Sequence, residues 1–164
     1  MVHIRPARAA DLPRLVAAHG QHHYFEQRIA RQPTLGIVLI AERAGTVAGS
    51  AFLRLAPAEE WELRERLPKV PIFSHLEVLP EHRGNGVGTK ILAAAEGLAR
   101  GQQRRRMVLG VKPDDRTAFD LYSRNGYADW GLGVINALVV DYDDQGRRTH
   151  STERCHIMIK DLGR

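Results

Sequence analysis

Apolar residues along the chain follow two spacings, and these predict where its strands and helices lie. Residues 36–42 (GIVLIAE) are rich in β-branched and apolar side chains, as in a buried strand, and a glycine-containing turn joins them to a second such run. After Asp11, a favourable N-cap residue, Leu12 and Leu15 recur at the spacing of one helix face. In the first half we therefore expect strands over residues 2–6, 36–42 and 46–55, and helices over residues 12–19, 21–31 and 58–67.

The second half begins with a strand, a loop and a helix in direct succession. Residues 75–92 (HLEVLPEHRGNGVGTKIL) start as a buried strand, turn at Pro80, pass through a glycine-rich loop and enter a long helix. Asp115 is expected to cap a later helix that ends at Gly126. The elements expected here are helices over residues 87–100 and 116–125 and strands over residues 107–111, 127–132, 137–141 and 156–159, with a polar turn over residues 142–151.

This succession of elements predicts the fold class. A mostly antiparallel first half is followed by a strand–helix–strand (βαβ) crossover, so we expect a mixed α/β (α+β) fold with a mostly antiparallel central sheet flanked by helices. The chain has 164 residues, enough to bury a core of its own, and no linker or repeat interrupts it. We therefore expect a single domain over residues 1–164.

Composition indicates the setting of the protein. Hydrophobic residues make up 43% of the chain and charged residues 26%, as is usual for a soluble protein. The longest apolar runs are strand-sized, and the N-terminus lacks the apolar core of a signal peptide. Cys155 is the only cysteine, so no internal disulfide can form, and nothing nearby marks it as a nucleophile. We expect a cytoplasmic protein that does not bind a membrane.

The net charge of +5 raises the question of a polyanionic partner. Basic residues cluster over residues 100–106 (RGQQRRR) and again at Arg147 and Arg148. A nucleic-acid patch is one interpretation, but no helix-turn-helix, zinc or aromatic-interleaved RNA motif accompanies these residues. A solvated helix end, or attraction of a polyanionic small molecule, explains the charge without a further partner. We expect no nucleic acid to bind.

The glycine-rich loop has the features of a phosphate site. Gly84, Gly86 and Gly88 lack Cβ atoms where the backbone must approach a ligand closely or take a positive φ. The helix that follows offers its first N–H groups and the positive end of its dipole. The loop is not a Walker loop, because Thr89 precedes Lys90, and its spacing G-x-G-x-G differs from the dinucleotide fingerprint.

The loop instead resembles the acetyl-CoA loop of the GNAT (Gcn5-related N-acetyltransferase) family, R/Q-x-x-G-x-G/A directly after a strand ending in V-x-P. The residues that match are Val78 and Pro80 at the strand end and Arg83, Gly86 and Gly88 in the loop. Residues 115–127 (DRTAFDLYSRNGY) are similar to a second segment of the family, N-x-x-A-x-x-x-Y-x-x-x-G-F/Y. The residues that match there are Ala118, Tyr122, Gly126 and Tyr127. The resemblance covers nearly the whole chain, most strongly residues 74–130.

This resemblance implies acetyl-CoA as the cofactor. Main-chain groups of the strand would pair with the pantetheine arm, and the N–H of Val78 would face the oxyanion of a tetrahedral intermediate. Asp115 stands where relatives commonly have Asn, and since a carboxylate beside polyphosphate is unfavourable, Asp115 could act only as the helix cap. The residues expected to bind the cofactor are Leu76, Glu77, Val78, Arg83, Gly84, Asn85, Gly86, Val87, Gly88, Thr89, Asp115 and Tyr122.

The resemblance also implies catalytic roles. Tyr122 is the candidate general acid that protonates the departing thiolate, although on spacing alone it could simply belong to the core stripe of its helix. A base must deprotonate the amine, and Glu77 or a bound water is expected to do so. Strand alternation places the side chains of His75 and Glu77 on one face, opposite Leu76, although both could be ordinary polar residues of a strand.

The second helix falls where relatives build the substrate wall, a region that also includes His19 and Glu26. The residues expected to contact the amine are His22, His23, Tyr24 and His75. Adjacent His22 and His23 are expected to point to different helix faces, and no H-E-x-x-H pattern is present, so no metal is expected. The helix expected over residues 58–67 has Trp61 as its anchor and several glutamates, which fit an acidic lid, a solvated helix or a dimer contact.

We therefore expect an acetyl-CoA-dependent N-acetyltransferase that acts on a primary amine by direct attack on the thioester. A small-molecule substrate is favoured, because no extended peptide groove is evident. The alternative is a non-catalytic acyl-CoA-binding sensor or partner module of the same fold, since a fold does not by itself determine a function. The oligomeric state stays open, although a homodimer would match what is common in similar proteins.

Overall fold

The structure is a computed structural model that describes residues 1–163. Strands and helices follow one another in the mixed order expected of an α/β protein. The strands are β1 (Val2–Pro6), β2 (Gly36–Arg43), β3 (Thr46–Arg54), β4 (Ile72–Val78), β5 (Arg106–Val111), β6 (Ala128–Asp129), β7 (Ile135–Tyr142) and β8 (Arg148–Asp161). The helices are α1 (Leu12–His19), α2 (His22–Ala30), α3 (Trp61–Arg66), α4 (Val87–Gly101) and α5 (Arg116–Arg124).

The chain divides into two compact units. The first consists of Met1–Ala56 and Phe73–Leu98, and the second consists of Pro57–Ile72 and the chain from Ala99 onward. The single domain over residues 1–164 stays a prediction. The fold class is confirmed, because the order is mixed α/β and the strand pairs described below are antiparallel.

The first unit is built on neighbouring strands in the order β1-β2-β3-β4. Strands β1 and β2 pair antiparallel from Val2 opposite Arg43 to Pro6 opposite Leu39, and β2 and β3 also pair antiparallel. Strand β3 is buried over most of its length, which explains its apolar sequence. The largest fully buried side chains of this unit are Leu15, Val38, Leu39, Ile40, Leu53, Phe73, Val87, Ile91 and Leu92.

The second unit is organised around the long strand β8. Its C-terminal part pairs with β5 and, at Met158 and Ile159, with β6, whereas Arg148–Cys155 pairs with β7. A hydrophobic cluster joins these strands to the segment around α3 and consists of Ala58, Leu63, Leu67, Val108, Ile135, Cys155 and Ile157.

Several elements of the second unit differ from expectation. Residues 148–151 were expected to be part of a turn because they are polar, but backbone pairing with β7 makes them a strand. The turn is shorter, and Asp143 organises it by accepting hydrogen bonds from the N–H groups of Gln145 (3.0 Å) and Arg147 (2.9 Å). The strand expected over residues 127–132 is reduced to β6, because Gly131 and Gly133 take positive φ.

Helix α3 is also shorter than expected, and Trp61 does not anchor it. The Trp61 side chain is 58% exposed, whereas Leu63 is 4% exposed and belongs to the hydrophobic cluster. The carboxylate of Glu60 accepts a hydrogen bond from the N–H of Leu138 (2.8 Å), so the start of the helix is attached to β7. Leu63 was overlooked as an anchor because charged residues surround it in the sequence.

Candidate functional site

Strand β4 ends at Val78, and a short 3-10 turn follows at Pro80–His82. The glycine-rich loop begins directly after this turn. The Nε atom of Arg83 donates to the carbonyl of Val78 (3.0 Å), which ties the loop to the strand. Gly84 and Gly86 have φ values of 79° and 73°, a conformation that favours glycine. Gly88 lies in the first turn of α4 and is not among the glycines with positive φ, so of the two expected roles only close approach to a ligand stays a prediction for it.

The loop and the start of α4 fit a phosphate group. A Cβ atom added at Gly84 or Gly86 would meet no atom within 4 Å, so the loop is open on the side those atoms would occupy. The N–H of Lys90 makes a helical bond to the carbonyl of Gly86 (3.1 Å), and the N–H groups before it have no acceptor within the helix. With the exposed Arg83, they are the kinds of donor that bind anions at other helix N-termini.

Strand β4 is irregular at His75, whose φ is 56°. A positive φ costs free energy in a residue with a side chain and persists where surrounding structure imposes it, often at functional sites. His75, Leu76 and Glu77 all line one cleft. His75 and Glu77 are exposed and Leu76 is half-buried between them, and the expected alternation of their side chains stays a prediction.

This cleft is small and lies entirely in the first unit. Its volume is about 90 Å³. Pockets that enclose a whole drug-sized ligand are several times larger. The cleft therefore accommodates the reacting end of a molecule. Its lining residues are Gln21, Tyr24, Phe25, Ser50, Ala51, His75, Leu76 and Glu77.

The carboxylate of Glu77 has a buried histidine beside it. Nδ1 of His19 lies 3.1 Å from Oε1 of Glu77, at a distance but not at the angles of a hydrogen bond. The His19 side chain is 1% exposed, whereas that of Glu77 is 47% exposed. Nε2 of His19 is buried without a hydrogen-bond partner among residues 1–163, and the Phe25 ring lies 5.8 Å from the imidazole. The sequence places His19 in the right region but offers no signal for this contact.

An aromatic wall closes the cleft on the α2 side. Tyr24 is 6% exposed, and its ring centroid lies 4.7 Å from that of His75. Cζ of Arg28 lies 3.9 Å above the Tyr24 ring in a cation–π contact, which the sequence did not indicate. Of the residues expected to contact the amine, the structure brings Tyr24 and His75 to the cleft, whereas His22 and His23 are not among its lining residues.

His22 and His23 do not point apart as expected. Their rings meet edge to face with centroids 5.3 Å apart, because the side chains of neighbouring helical residues can rotate toward each other. Nε2 of His22 lies 3.4 Å from Oε2 of Glu26, and donor atoms of all three side chains lie within 4.8 Å of one another. The geometric reason given against a metal was therefore wrong, although the absence of a metal stays a prediction.

The second unit contains the other sequence segment of interest, around α5. Oδ1 of Asp115 accepts a hydrogen bond from the N–H of Ala118 (3.0 Å), so Asp115 caps this helix. This cap explains the carboxylate at a position where relatives have Asn, since both side chains can accept that bond.

The end of α5 explains the spacing of Tyr122, Gly126 and Tyr127. The N–H of Tyr127 bonds to the carbonyl of Tyr122 (3.0 Å), and the N–H of Gly126 bonds to that of Ser123 (3.2 Å), which is a Schellman cap. Gly126 has the positive φ (94°) that such a cap requires. Burial, with a smaller contribution from the charge of Asp115, raises the pKa of Tyr122 to about 12, so the phenol keeps its proton at neutral pH.

Cys155 is a core residue of the second unit. It is 4% exposed, and a Cβ atom added at Gly110 would lie 3.3 Å from its Cβ. Burial and the charge of Glu153 raise the pKa of the thiol to about 11, so almost no thiolate forms at neutral pH. A side chain at Gly110 would therefore press on Cys155, and the buried thiol has little of the thiolate form that a nucleophile needs.

The chain belongs to the acetyltransferase (GNAT) family, whose sequence profile it matches over residues 4–127. It is 30% identical over 93 residues to the uncharacterized N-acetyltransferase YhfO of Bacillus subtilis (strain 168), a match that spans 57% of this chain and 59% of that relative. The family expected from the sequence is confirmed. Among residues 1–163, no helix combines the length and apolar character needed to cross a membrane.

Solved structures of acetyltransferases share the fold. The ribosomal-protein-S18-alanine N-acetyltransferase of Escherichia coli superimposes with a TM-score of 0.71 at 15% identity, over 100% of this chain and 96% of that one. A GNAT family acetyltransferase of Elizabethkingia anophelis with acetyl-CoA bound has a TM-score of 0.65 at 13% identity, over 98% and 97% of the chains. At such identities these similarities establish the fold alone.

Proposed function

We propose that the protein is an N-acetyltransferase that moves an acetyl group from acetyl-CoA to a primary amine. The observation that carries this proposal is the carboxylate of Glu77, which lines a small cleft on the same strand that leads into the glycine-rich loop. A proton acceptor and an anion-binding loop thus lie within one strand–loop–helix segment of the first unit.

The cofactor would be held by the chain around the end of β4 and the start of α4. Acetyl-CoA supplies the acetyl group as an activated thioester. Gly84, Gly86 and the first N–H groups of α4, together with Arg83, would hold its phosphates, and the main chain of Leu76 and Val78 would hold the pantetheine arm. Since the carboxylate of Asp115 is engaged in capping α5, we assign it no phosphate contact.

Glu77 acts as the base. A primary amine is an ammonium ion at neutral pH, and Glu77 accepts one of its protons and passes it to solvent. The nitrogen then forms the C–N bond, and the N–H of Val78 stabilises the negative charge that develops on the carbonyl oxygen.

Tyr122 acts as the acid. It gives its phenolic proton to sulfur as the C–S bond breaks. The second proton that the nitrogen loses then restores the phenol. Support for this assignment comes from the family resemblance, and the phenol is protonated at neutral pH, as a proton donor must be.

The substrate we favour is a small-molecule amine. The cleft of about 90 Å³ has room for an amine end, and its walls combine the carboxylate of Glu77 with the rings of Tyr24 and His75. A carboxylate and aromatic faces both attract an ammonium group. The roles of His22 and His23, the homodimer and the cytoplasmic location stay predictions from the sequence.

The test has a binding part and a kinetic part. Acetyl-CoA and CoA should raise the melting temperature while ATP and NAD do not, because only a ligand of the folded state stabilises it. Acetyl-CoA turnover by a library of small amines, followed by thiol release, should then identify substrates. Stabilisation by acetyl-CoA without turnover of any amine would favour the non-catalytic acyl-CoA-binding module.

Tyr122→Phe distinguishes the acid from a core residue. We expect kcat to fall about 10²-fold while the melting shift with acetyl-CoA is unchanged. The matched control is Tyr127→Phe, which removes the hydroxyl of the neighbouring ring, 6.1 Å away, and should leave kcat intact. Equal kcat values for the two variants would refute the assignment of Tyr122.

A further inference from the structure

We propose that His19 is a positioning residue for the catalytic base: its Nδ1–H holds one carboxylate oxygen of Glu77 so that the other faces the amine. This inference rests on the proposed acetyl transfer. It concerns two residues of the first unit, and each has an unusual environment for its type.

Burial decides which of the two groups meets the substrate. The Glu77 side chain is half exposed and lines the cleft, whereas the His19 side chain is 1% exposed and lies behind it. In a Ser-His-Asp triad the order is reversed, since a buried carboxylate orients a histidine that faces the substrate. Here the histidine is the buried partner, so it can act on the reaction only through Glu77.

The surroundings of the imidazole select one protonation state. If Nε2 carried the only proton, the lone pair of Nδ1 would face a carboxylate oxygen at 3.1 Å and a buried N–H would have no acceptor. If both nitrogens were protonated, that buried N–H would still be unpaired. With the proton on Nδ1, only a lone pair at Nε2 lacks a partner. The contact with Glu77 then becomes a hydrogen bond after a small rotation, as is common when a catalytic site closes on its substrate.

The backbone around His19 holds the ring in place. His19 is the last residue of α1, and the N–H of Gly20 closes the helix by bonding to the carbonyl of Val16 (2.7 Å). Gly20 and Gln21 both have positive φ (72° and 60°), so the chain turns sharply before α2. This turn brings Phe25 against the imidazole and Gln21 to the cleft.

A spectroscopic experiment tests the proton position without any assay of activity. Long-range ¹H–¹⁵N NMR distinguishes the two neutral forms of histidine, and the His19 signals are assigned by their loss in His19→Leu. We expect the Nδ1–H form in the wild type and a change of that signal in Glu77→Gln. A wild-type spectrum with the proton on Nε2 would overturn the proposal.

The kinetic experiment tests whether His19 acts through Glu77. His19→Asn keeps an N–H donor near the position of Nδ1, whereas His19→Gln moves the donor toward Nε2. With an amine identified by the thiol-release screen, we expect kcat to fall about 10- to 100-fold in His19→Leu and His19→Gln and to be largely restored in His19→Asn. The KM for acetyl-CoA should stay the same in all three variants, and their melting temperatures show which of them fold.

A double-mutant cycle completes the test, because residues that act as a unit have non-additive effects. In a Glu77→Gln background, His19→Leu should cause no further loss of kcat. A further loss as large as in the wild-type background would mean that His19 supports the structure and does not act through Glu77. If the spectrum shows the Nδ1–H form but the protein acetylates no amine, the proposed function is refuted. The positioning role is then refuted with it.

Discussion

Asp11 and Glu77, two carboxylates of the first unit, both lie beside a basic side chain, but they differ in how completely they are paired. Asp11 accepts hydrogen bonds from Nη1 and Nη2 of Arg5, each at 2.7 Å, and from the N–H of Arg8 at 2.8 Å. The Asp11 side chain is 8% exposed. Glu77 has a single contact with His19, which lacks hydrogen-bond angles, and its side chain is 47% exposed. A saturated carboxylate stabilises the fold, whereas one with spare lone pairs can accept a proton from a substrate.

The same contrast appears in the pKa values of Asp11 and Glu42, which form a paired cluster with Arg5 and Arg14. The hydrogen bonds from Arg5 are the largest cause that lowers the pKa of Asp11, to about 2, and bonds from Arg14 and Arg5 lower the pKa of Glu42. Such carboxylates are weaker bases than a carboxylate of ordinary pKa, because their hydrogen bonds stabilise the ionised form. The paired cluster (Arg5, Asp11, Arg14 and Glu42) therefore stabilises the fold, whereas the cleft contains a carboxylate that can accept a proton.

Replacing Glu77 should have the largest effect. In Glu77→Gln the base is lost while shape is kept, so we expect kcat to fall about 10²- to 10⁴-fold with little change in melting temperature. The control is Glu81→Gln, an exposed carboxylate beyond the end of β4, which should keep full activity. Equal activity of both variants would show that a water molecule or another group is the base.

Replacing Asp11 should have the opposite profile. Asp11→Asn leaves Arg5 with only part of its hydrogen bonding, and we expect the free energy of unfolding to fall by about 2–3 kcal/mol, somewhat less than for a fully buried ion pair. Activity per folded molecule should not change. Urea unfolding measures the first quantity and kcat at low temperature the second. A loss of kcat without a loss of stability would show that Asp11 takes part in the reaction and does not merely stabilise the fold.

Acid should weaken the paired cluster over a defined range of pH. The pKa of Asp11 is about 2 in the folded chain against an ordinary value of 3.8, so the unfolded chain binds the proton first as pH falls. The contribution of Asp11, about 2 kcal/mol, is present above pH 4 and is lost as pH falls from about 4 to 2. Urea unfolding of the wild type and Asp11→Asn at several pH values should show their difference shrinking over this range. A difference independent of pH would refute the assignment.

A matched pair of glycine substitutions should have smaller effects of opposite sign. A Cβ atom at Gly49 would lie 2.7 Å from the carbonyl oxygen of Glu77, so Gly49→Ala should push β4 away, cost about 1–2 kcal/mol and lower kcat about tenfold. Gly97 is an exposed helix residue with nothing within 4 Å of its added Cβ, so Gly97→Ala should stabilise by about 0.5–1 kcal/mol without changing kcat. Melting curves and kcat measure both. Unchanged kcat in Gly49→Ala would mean that the backbone at Glu77 tolerates displacement.

Elements with local chemical causes could be predicted from the sequence. The cap at Asp115, the helix stop at Gly126 and the positive φ of Gly84 and Gly86 each follow from residues within a few positions of one another. The strand over residues 148–154 could not be predicted, because its exposed polar residues have no hydrophobic alternation and pair with β7 through the backbone alone. The anchor of α3 was misjudged for a related reason, since apolar character does not show which side chain faces the core.

The sequence by itself determined the family, the fold class, the place of the glycine-rich loop and the choice of Glu77 as a candidate base, because each depends on short motifs or on the order of elements. The tertiary structure alone decided which groups surround Glu77. His19 lies far from it in the chain, and their contact requires α1 to end beside β4. Which side chains meet across such distances depends on how helices pack on the sheet, and no local pattern in the sequence records it.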